Sequence, residues 1–303
     1  VYLDSRALDA AGIDNKVLRE SYEFCRRLLI TMDGRSYWAA NLLLPAHKRP
    51  HMCAVYGLLR YTDQILDTGP PEQRAPEFET FSARLLADLR SGVGGDPIGR
   101  ALGHTMRTWG IALADVETFL DGMRMDLTIS EYQTFADLER YLDAVDGSIA
   151  RLSLPIMEPL SPLAVECTTA TSKAAQMTNF IRDIGKDWRR LGRCYLPLED
   201  LDRFGVTKAD LGAPTTSPAL RRLVRFEISR AREMWARGMD GVAHLDPRGR
   251  AAARLASALY SGILDEIERR DHEVLDTRAK VSTRRKAALV LRGYLSAPKP
   301  QAA

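Results

Sequence analysis

Two aspartate pairs of identical spacing, Asp63 with Asp67 and Asp183 with Asp187, lie about 120 residues apart in a chain of 303. On a helix, side chains four residues apart point the same way, so each pair puts two carboxylates on one face. Two such faces turned toward each other make a cage of hard oxygen ligands, a place to hold Mg2+ and a diphosphate. Around the first pair, Tyr56, Arg60, Asp63 and Asp67 fall at i, i+4, i+7 and i+11, a single stripe on a 3.6-residue helix. The second pair extends a ladder of Gln176, Asn179, Asp183 and Asp187. Arg182 and Lys186 flank it and Arg189, Arg190 and Arg193 follow, basic groups suited to phosphate oxygens. Each stretch also has a plainer reading. Arg60 can form an ion pair with Asp63 or Asp67 on a solvated face, and the second stretch can be a charged helix end capped by Gly192.

The elements that must position these groups read as helices. Apolar residues recur at i, i+3, i+4 and i+7, while alternating strand patterns are nearly absent, so the chain is all-α. Breakers at Pro45, Gly69 to Pro76, Gly92 to Gly99, Pro155 to Pro162, Gly205 to Pro218 and Gly241 to Gly249 divide it. Between them the spacing predicts helices near 15–31, 47–67, 77–90, 97–110, 113–127, 134–154, 163–189, 218–240 and 248–294. No interruption resembles an interdomain linker, so residues 1–296 form one domain and 297–303 a loose tail. The first acidic segment is apolar on its other faces, through Leu58, Leu59, Ile65 and Leu66, which places it centrally in the bundle. Charges there must be paired or metal-bound.

A hydrophobic share of 45% with 27% charged residues is ordinary for a globular protein. The 43 basic and 40 acidic residues nearly cancel, so no global field calls for nucleic acid. Cys25, Cys53, Cys167 and Cys194 are widely spaced and lack zinc or redox spacings, which fits reduced thiols in a cytoplasm. No apolar run approaches the roughly 20 residues of a membrane span, and the first residues do not read as a secretory signal. A cytoplasmic protein is expected, with peripheral membrane contact at most, to collect a greasy substrate.

The segment NFIRDIGKDWRRLGRCYLP, residues 179–197, resembles the signature of squalene and phytoene synthases, in which an Asn-x-x-Arg-Asp-x-x-x-Asp ladder runs into Gly-Arg-x-Tyr-Leu-Pro. Upstream, LLLPAHKRPHMCAVYGLLRYTDQILD is similar to the family's Leu-Pro, Arg, Tyr, Arg and D-x-x-x-D block, and DGMRMDL and ALYSGILDEI also fit. The resemblance implies an isoprenoid synthase fold with a central cavity and magnesium-assisted ionisation of an allylic diphosphate. Carried over, it implies magnesium ligands at Asp63, Asp67, Asn179, Asp183 and Asp187. It implies a diphosphate end lined by Arg60, Gln176, Arg182, Tyr195, Tyr260 and Arg278. Tyr37, Trp38, Tyr56, Tyr141, Phe180 and Tyr260 are candidates to stabilise a carbocation, with core packing the alternative, above all for Trp38 and Phe180.

The chain also departs from the family. Where members that join two diphosphates carry His-Ser-x-Ser-Phe, this sequence has Asp33, Gly34, Arg35, Ser36 and Tyr37, which removes phosphate donors and adds like charge. Ser36 and Tyr37 remain substrate-binding candidates. Gln64 and Lys186 stand at usually acidic positions, and Asp146 stands where the family has alanine, beside the substrate cavity. These changes favour a prenyltransferase that ionises one short allylic diphosphate, dimethylallyl diphosphate, and attaches it to carbon of an aromatic acceptor such as a carbazole. Asp146 or the departing diphosphate then takes the ring proton. The alternatives are head-to-head coupling of two farnesyl or geranylgeranyl diphosphates, and a catalytically silent relative that binds a prenyl lipid.

Overall fold

A computed structural model describes residues 5–31, 41, 43–92 and 94–296. Its helices are α1 (Ser5–Ala10), α2 (Lys16–Thr31), α3 (Arg49–Asp67), α4 (Pro71–Ser91), α5 (Pro97–Trp109), α6 (Leu113–Met125), α7 (Phe135–Leu142) and α8 (Ser148–Ser153). They continue as α9 (Leu163–Leu191), α10 (Leu198–Phe204), α11 (Lys208–Leu211), α12 (Pro218–Asp240), α13 (Pro247–Arg269) and α14 (Thr283–Ser296). Extended pairing among the described residues is limited to two isolated bridges, Glu131 with Cys194 and Pro159 with Leu245. The expectation of an all-α chain is met.

The 29-residue α9 is the longest described helix and lies against α12, α13 and α8. Met177, Thr178, Ile181 and Ile184 are buried on it, and Gly192, at φ +64°, closes it in the left-handed region that glycine adopts freely. Helix α3 packs on α2, α4 and α5, and on α8, so α8 touches both acidic helices. At Gly57 a Cβ would stand 2.7 Å from Cβ of Cys25, so only glycine lets α3 come this close to α2.

Three helix boundaries differ from the expectation. The stretch predicted as one helix over 134–154 is interrupted by a single π-helical turn, Asp143–Gly147, between α7 and α8. The stretch predicted over 248–294 is two helices joined by 270–282, where Asp271 and His272 adopt positive φ without a glycine or proline to signal it. Helix α4 begins at Pro71 and runs through Pro76, earlier than the proline cluster suggests. Proline suits the first turn, and one lost backbone bond at Pro76 is tolerated near that end. Among the described residues no helix is long and apolar enough to cross a membrane.

Candidate active site

Helix α3 presents Arg60 and Asp63 to an interior cavity. Arg60 Nη1 donates to Asp63 Oδ2 at 3.1 Å, so the plainer ion-pair reading is realised, but inside the protein. Burial pushes the Asp63 carboxyl up to about 7; Arg60 opposes this, and the charges of Asp67 and Asp126 add to it. Asp67 is more open, with 43% of its side chain exposed, and is held by Arg193 Nη1 at 3.3 Å.

On α9 the two aspartates have opposite surroundings. Asp183 receives both forks of Arg182 (Nε to Oδ1 2.9 Å, Nη2 to Oδ2 2.5 Å) and both of Arg278 (Nε to Oδ1 2.8 Å, Nη2 to Oδ2 2.9 Å). Burial alone would raise its pKa, but the two guanidinium groups prevail and hold it down at about 2. Asp187 has no such clamp. Burial pushes it up to about 7, with Asp183 and, across the site, Asp67 contributing repulsion that Lys186 partly offsets. Asp63 of α3 and Gln176 and Asn179 of α9 line one cavity, so the two helices turn polar faces to the same space. One turn back on α9, Asn179 Nδ2 donates to Gln176 Oε1 at 3.0 Å, leaving Asn179 Oδ1 buried without a protein partner.

A third carboxylate joins the helices. Asp126, just past α6, accepts from Tyr195 OH at 3.1 Å and Tyr141 OH at 3.2 Å, while Arg193 Nη2 donates to its backbone carbonyl at 2.7 Å. Burial lifts its carboxyl to about 6 against the pull of Arg193. Tyr195 in turn stacks on Phe180, ring centroids 4.0 Å apart and 8° from parallel, so Phe180 serves as packing beneath this network. Sequence reasoning singled out neither Asp126 nor the bracing role of Arg193. The signal available was the DGMRMDL stretch, whose last aspartate lies 67 residues from Arg193.

Tyr56, Arg60, Asp63, Tyr141, Asp146, Gln176 and Asn179 line one cavity enclosing about 490 Å³ of empty space. Tyr56, Ser172 and Ala175 also belong to the wall of a second, larger chamber of about 940 Å³. That chamber is walled by Leu44, Met52, Met157, Trp235, Val242 and Leu245, by small residues such as Gly238, Ala252 and Ala256, and by Tyr260. A carboxylate-lined cavity therefore adjoins an apolar one, with Tyr56, Ser172 and Ala175 in the walls of both.

Most sequence-derived candidates thus gather in one region: Arg60, Asp63, Tyr56, Tyr141, Asp146, Gln176 and Asn179 on the cavity, Asp187 and Tyr195 with Arg193 on a separate small cavity, Asp67 bonded to that Arg193, Arg182 and Arg278 on Asp183, and Tyr260 in the chamber. Ser36 and Tyr37, with Asp33 and Trp38, lie outside the described residues. Among the described residues, no three His, Cys, Asp or Glu side chains alone form a closed metal cluster. The oxygen donors suit a hard divalent cation that keeps waters and is completed by a substrate phosphate. Asp183 fits that role least as placed, because four N–H donors occupy its lone pairs.

A helical bundle with two aspartate-bearing helices lining an acidic cavity beside an apolar chamber has clear relatives. The chain belongs to the squalene/phytoene synthase family, whose profile matches residues 30–285. It is 34% identical over 281 residues to the 15-cis-phytoene synthase of Synechocystis, covering 89% of this chain and 83% of that one. The phytoene synthase of Arthrospira platensis is 34% identical over 282 residues, 88% and 90% of the two chains. Among solved structures, a dehydrosqualene synthase superposes with a TM-score of 0.84 at 25% identity, over 92% of this chain and 96% of that one. Squalene synthase HpnC from Alicyclobacillus acidocaldarius gives 0.76 at 28%, over 87% and 98%. The fold is that of the isoprenoid synthases, and the family's members are prenyltransferases.

Proposed function

We propose that this protein ionises an allylic prenyl diphosphate with the help of magnesium and transfers the prenyl group to an acceptor held beside the apolar chamber. The observation that carries this reading is the adjacency, across Tyr56, Ser172 and Ala175, of the acidic cavity and the larger apolar chamber. A diphosphate belongs at the first and its hydrocarbon chain in the second. Asp63, Asp67, Asn179 and Asp187 would hold magnesium, with Asp183 joining if an arginine moves off it. When bound, the ion neutralises the leaving group. Arg60 binds phosphate oxygens, and the ring of Tyr56, at the junction, faces the charge left on the prenyl carbon.

The names of the relatives support a second prenyl diphosphate as the acceptor, joined head-to-head as the family resemblance implies for farnesyl or geranylgeranyl diphosphate. They support this better than the aromatic acceptor expected from the sequence departures. Incubating the protein with magnesium and either diphosphate should release pyrophosphate and yield a C30 or C40 hydrocarbon. Absence of pyrophosphate release with every allylic diphosphate would end the whole reading. Transfer to an aromatic carbon is kept as a second reading because of one observation, a carboxyl in the cavity wall at Asp146.

A further inference from the structure

Asp146 brings to the wall of the acidic cavity a carboxyl whose chemistry a hydrocarbon cannot meet. Its Oδ2 is shut off from solvent and has no hydrogen-bond partner in the protein. Lys173, the cation that acts on it, is engaged elsewhere, paired with Asp143 and, at 3.4 Å, with Glu139. Burial, then the nearby charge of Asp63, drives the carboxyl well above the usual range. An orphaned buried polar atom costs about 1–3 kcal/mol, and such costs persist where a ligand supplies the partner.

The backbone that aims this group is built, not loose. Asp146 sits in the π-helical turn Asp143–Gly147, the kind of widened turn that re-aims side chains at functional sites. Helix α6 presses on that turn through Gly122, where a Cβ would stand 2.9 Å from the Ala144 carbonyl carbon. Around Asp146 the cavity shows Tyr56, Tyr141 and Ser172, a polar and aromatic setting.

We infer that Asp146 is a specificity-determining residue that binds a hydroxyl or N–H borne on an aromatic ring of the acceptor. A ring hydroxyl or N–H donates to the buried carboxyl oxygen that has no partner in the protein. The inference rests on the proposed ionisation of an allylic diphosphate at this site. In the transfer, the prenyl C–O bond to diphosphate breaks and a C–C bond forms at a ring carbon activated by that hydroxyl. The proton on that carbon leaves with the diphosphate.

The test uses the full chain with magnesium and dimethylallyl diphosphate, and compares naphthol with its methyl ether as acceptors. Pyrophosphate release and prenylated product are measured for the parent protein, Asp146→Asn and Asp146→Ala. The parent should favour naphthol by at least about tenfold in kcat/KM, mostly through KM, the size expected for one buried hydrogen bond. Asp146→Asn should keep part of that preference and Asp146→Ala should lose it, while Asp146→Ala without ligand melts at a higher temperature than the parent. Equal discrimination by the parent and Asp146→Ala would overturn the inference. Absence of pyrophosphate release under all conditions would instead remove the underlying reading.

Discussion

The aspartate pairs of α3 and α9 share a spacing but not an electrostatic state. On α3 a single guanidinium meets Asp63, which stays near 7, and Asp67 leans on an arginine from beyond α9. On α9 Asp183 is clamped by two guanidinium forks and held near 2, while Asp187, four residues on, has none and stays near 7. Identical motifs thus place carboxylates alike and charge them differently. The partner, not the spacing, decides which oxygen is free to take a cation.

The sharpest way to break this contrast is to delete an unclamped acid from each helix. Asp63→Ala and Asp187→Ala should each lower kcat/KM roughly 10²–10³-fold, the usual loss when one electrostatic contact to a developing charge is removed. Circular dichroism should still report a helical fold. Normal turnover in either variant would remove that aspartate from the chemistry.

A smaller effect is expected at the clamp itself. Arg278→Ala leaves Arg182 in place but strips Asp183 of half its donors, costing about 1–3 kcal/mol in a denaturant titration. The Asp183 carboxyl should then titrate above its present value of about 2. An unchanged titration would mean that the second fork contributes nothing.

The unclamped pair also predicts a pH dependence for the magnesium-free protein. Asp63 and Asp187 have folded pKa values raised to about 7, so the folded state holds these protons more tightly than the unfolded chain. Stability from this source falls as pH climbs from the ordinary carboxylate range, about 4, through about 7. Asp183, depressed to about 2, acts oppositely, and its contribution is lost only as pH falls toward that value. Thermal melts should therefore show a higher midpoint near about pH 5 than near about pH 8, and Asp63→Asn should flatten the difference. A midpoint that rises across that interval would contradict the assignment.

The smallest change should follow Lys186→Glu, which restores the acidic residue common in the family. Lys186 lowers the Asp187 pKa, so its reversal should push that carboxyl higher and tighten magnesium severalfold at alkaline pH, read by calorimetry.

Much of this was legible in the sequence. Helical period and breakers located α2, α5, α6, α9 and α12 closely, and of the stripe read from the sequence Tyr56, Arg60 and Asp63 line the acidic cavity while Asp67 is more exposed. Asp126 escaped because its meaning depends on Tyr141, Arg193 and Tyr195, none near it in the chain. The break at 270–282 escaped because Asp271 and His272 turn the backbone without glycine or proline. The π-helical turn escaped because its residues keep an ordinary helical pattern, and only packing against Gly122 reveals it.

Because Arg278 follows α13, the carboxylate at position 183 waits nearly a hundred residues for its second guanidinium. A nascent chain emerging from the ribosome carries Asp183 and Arg182 together but not their distant counterpart, so the polar end of the site is assembled last. A product truncated just before Arg278, even with every helix through α13 complete, would leave Asp183 with Arg182 alone.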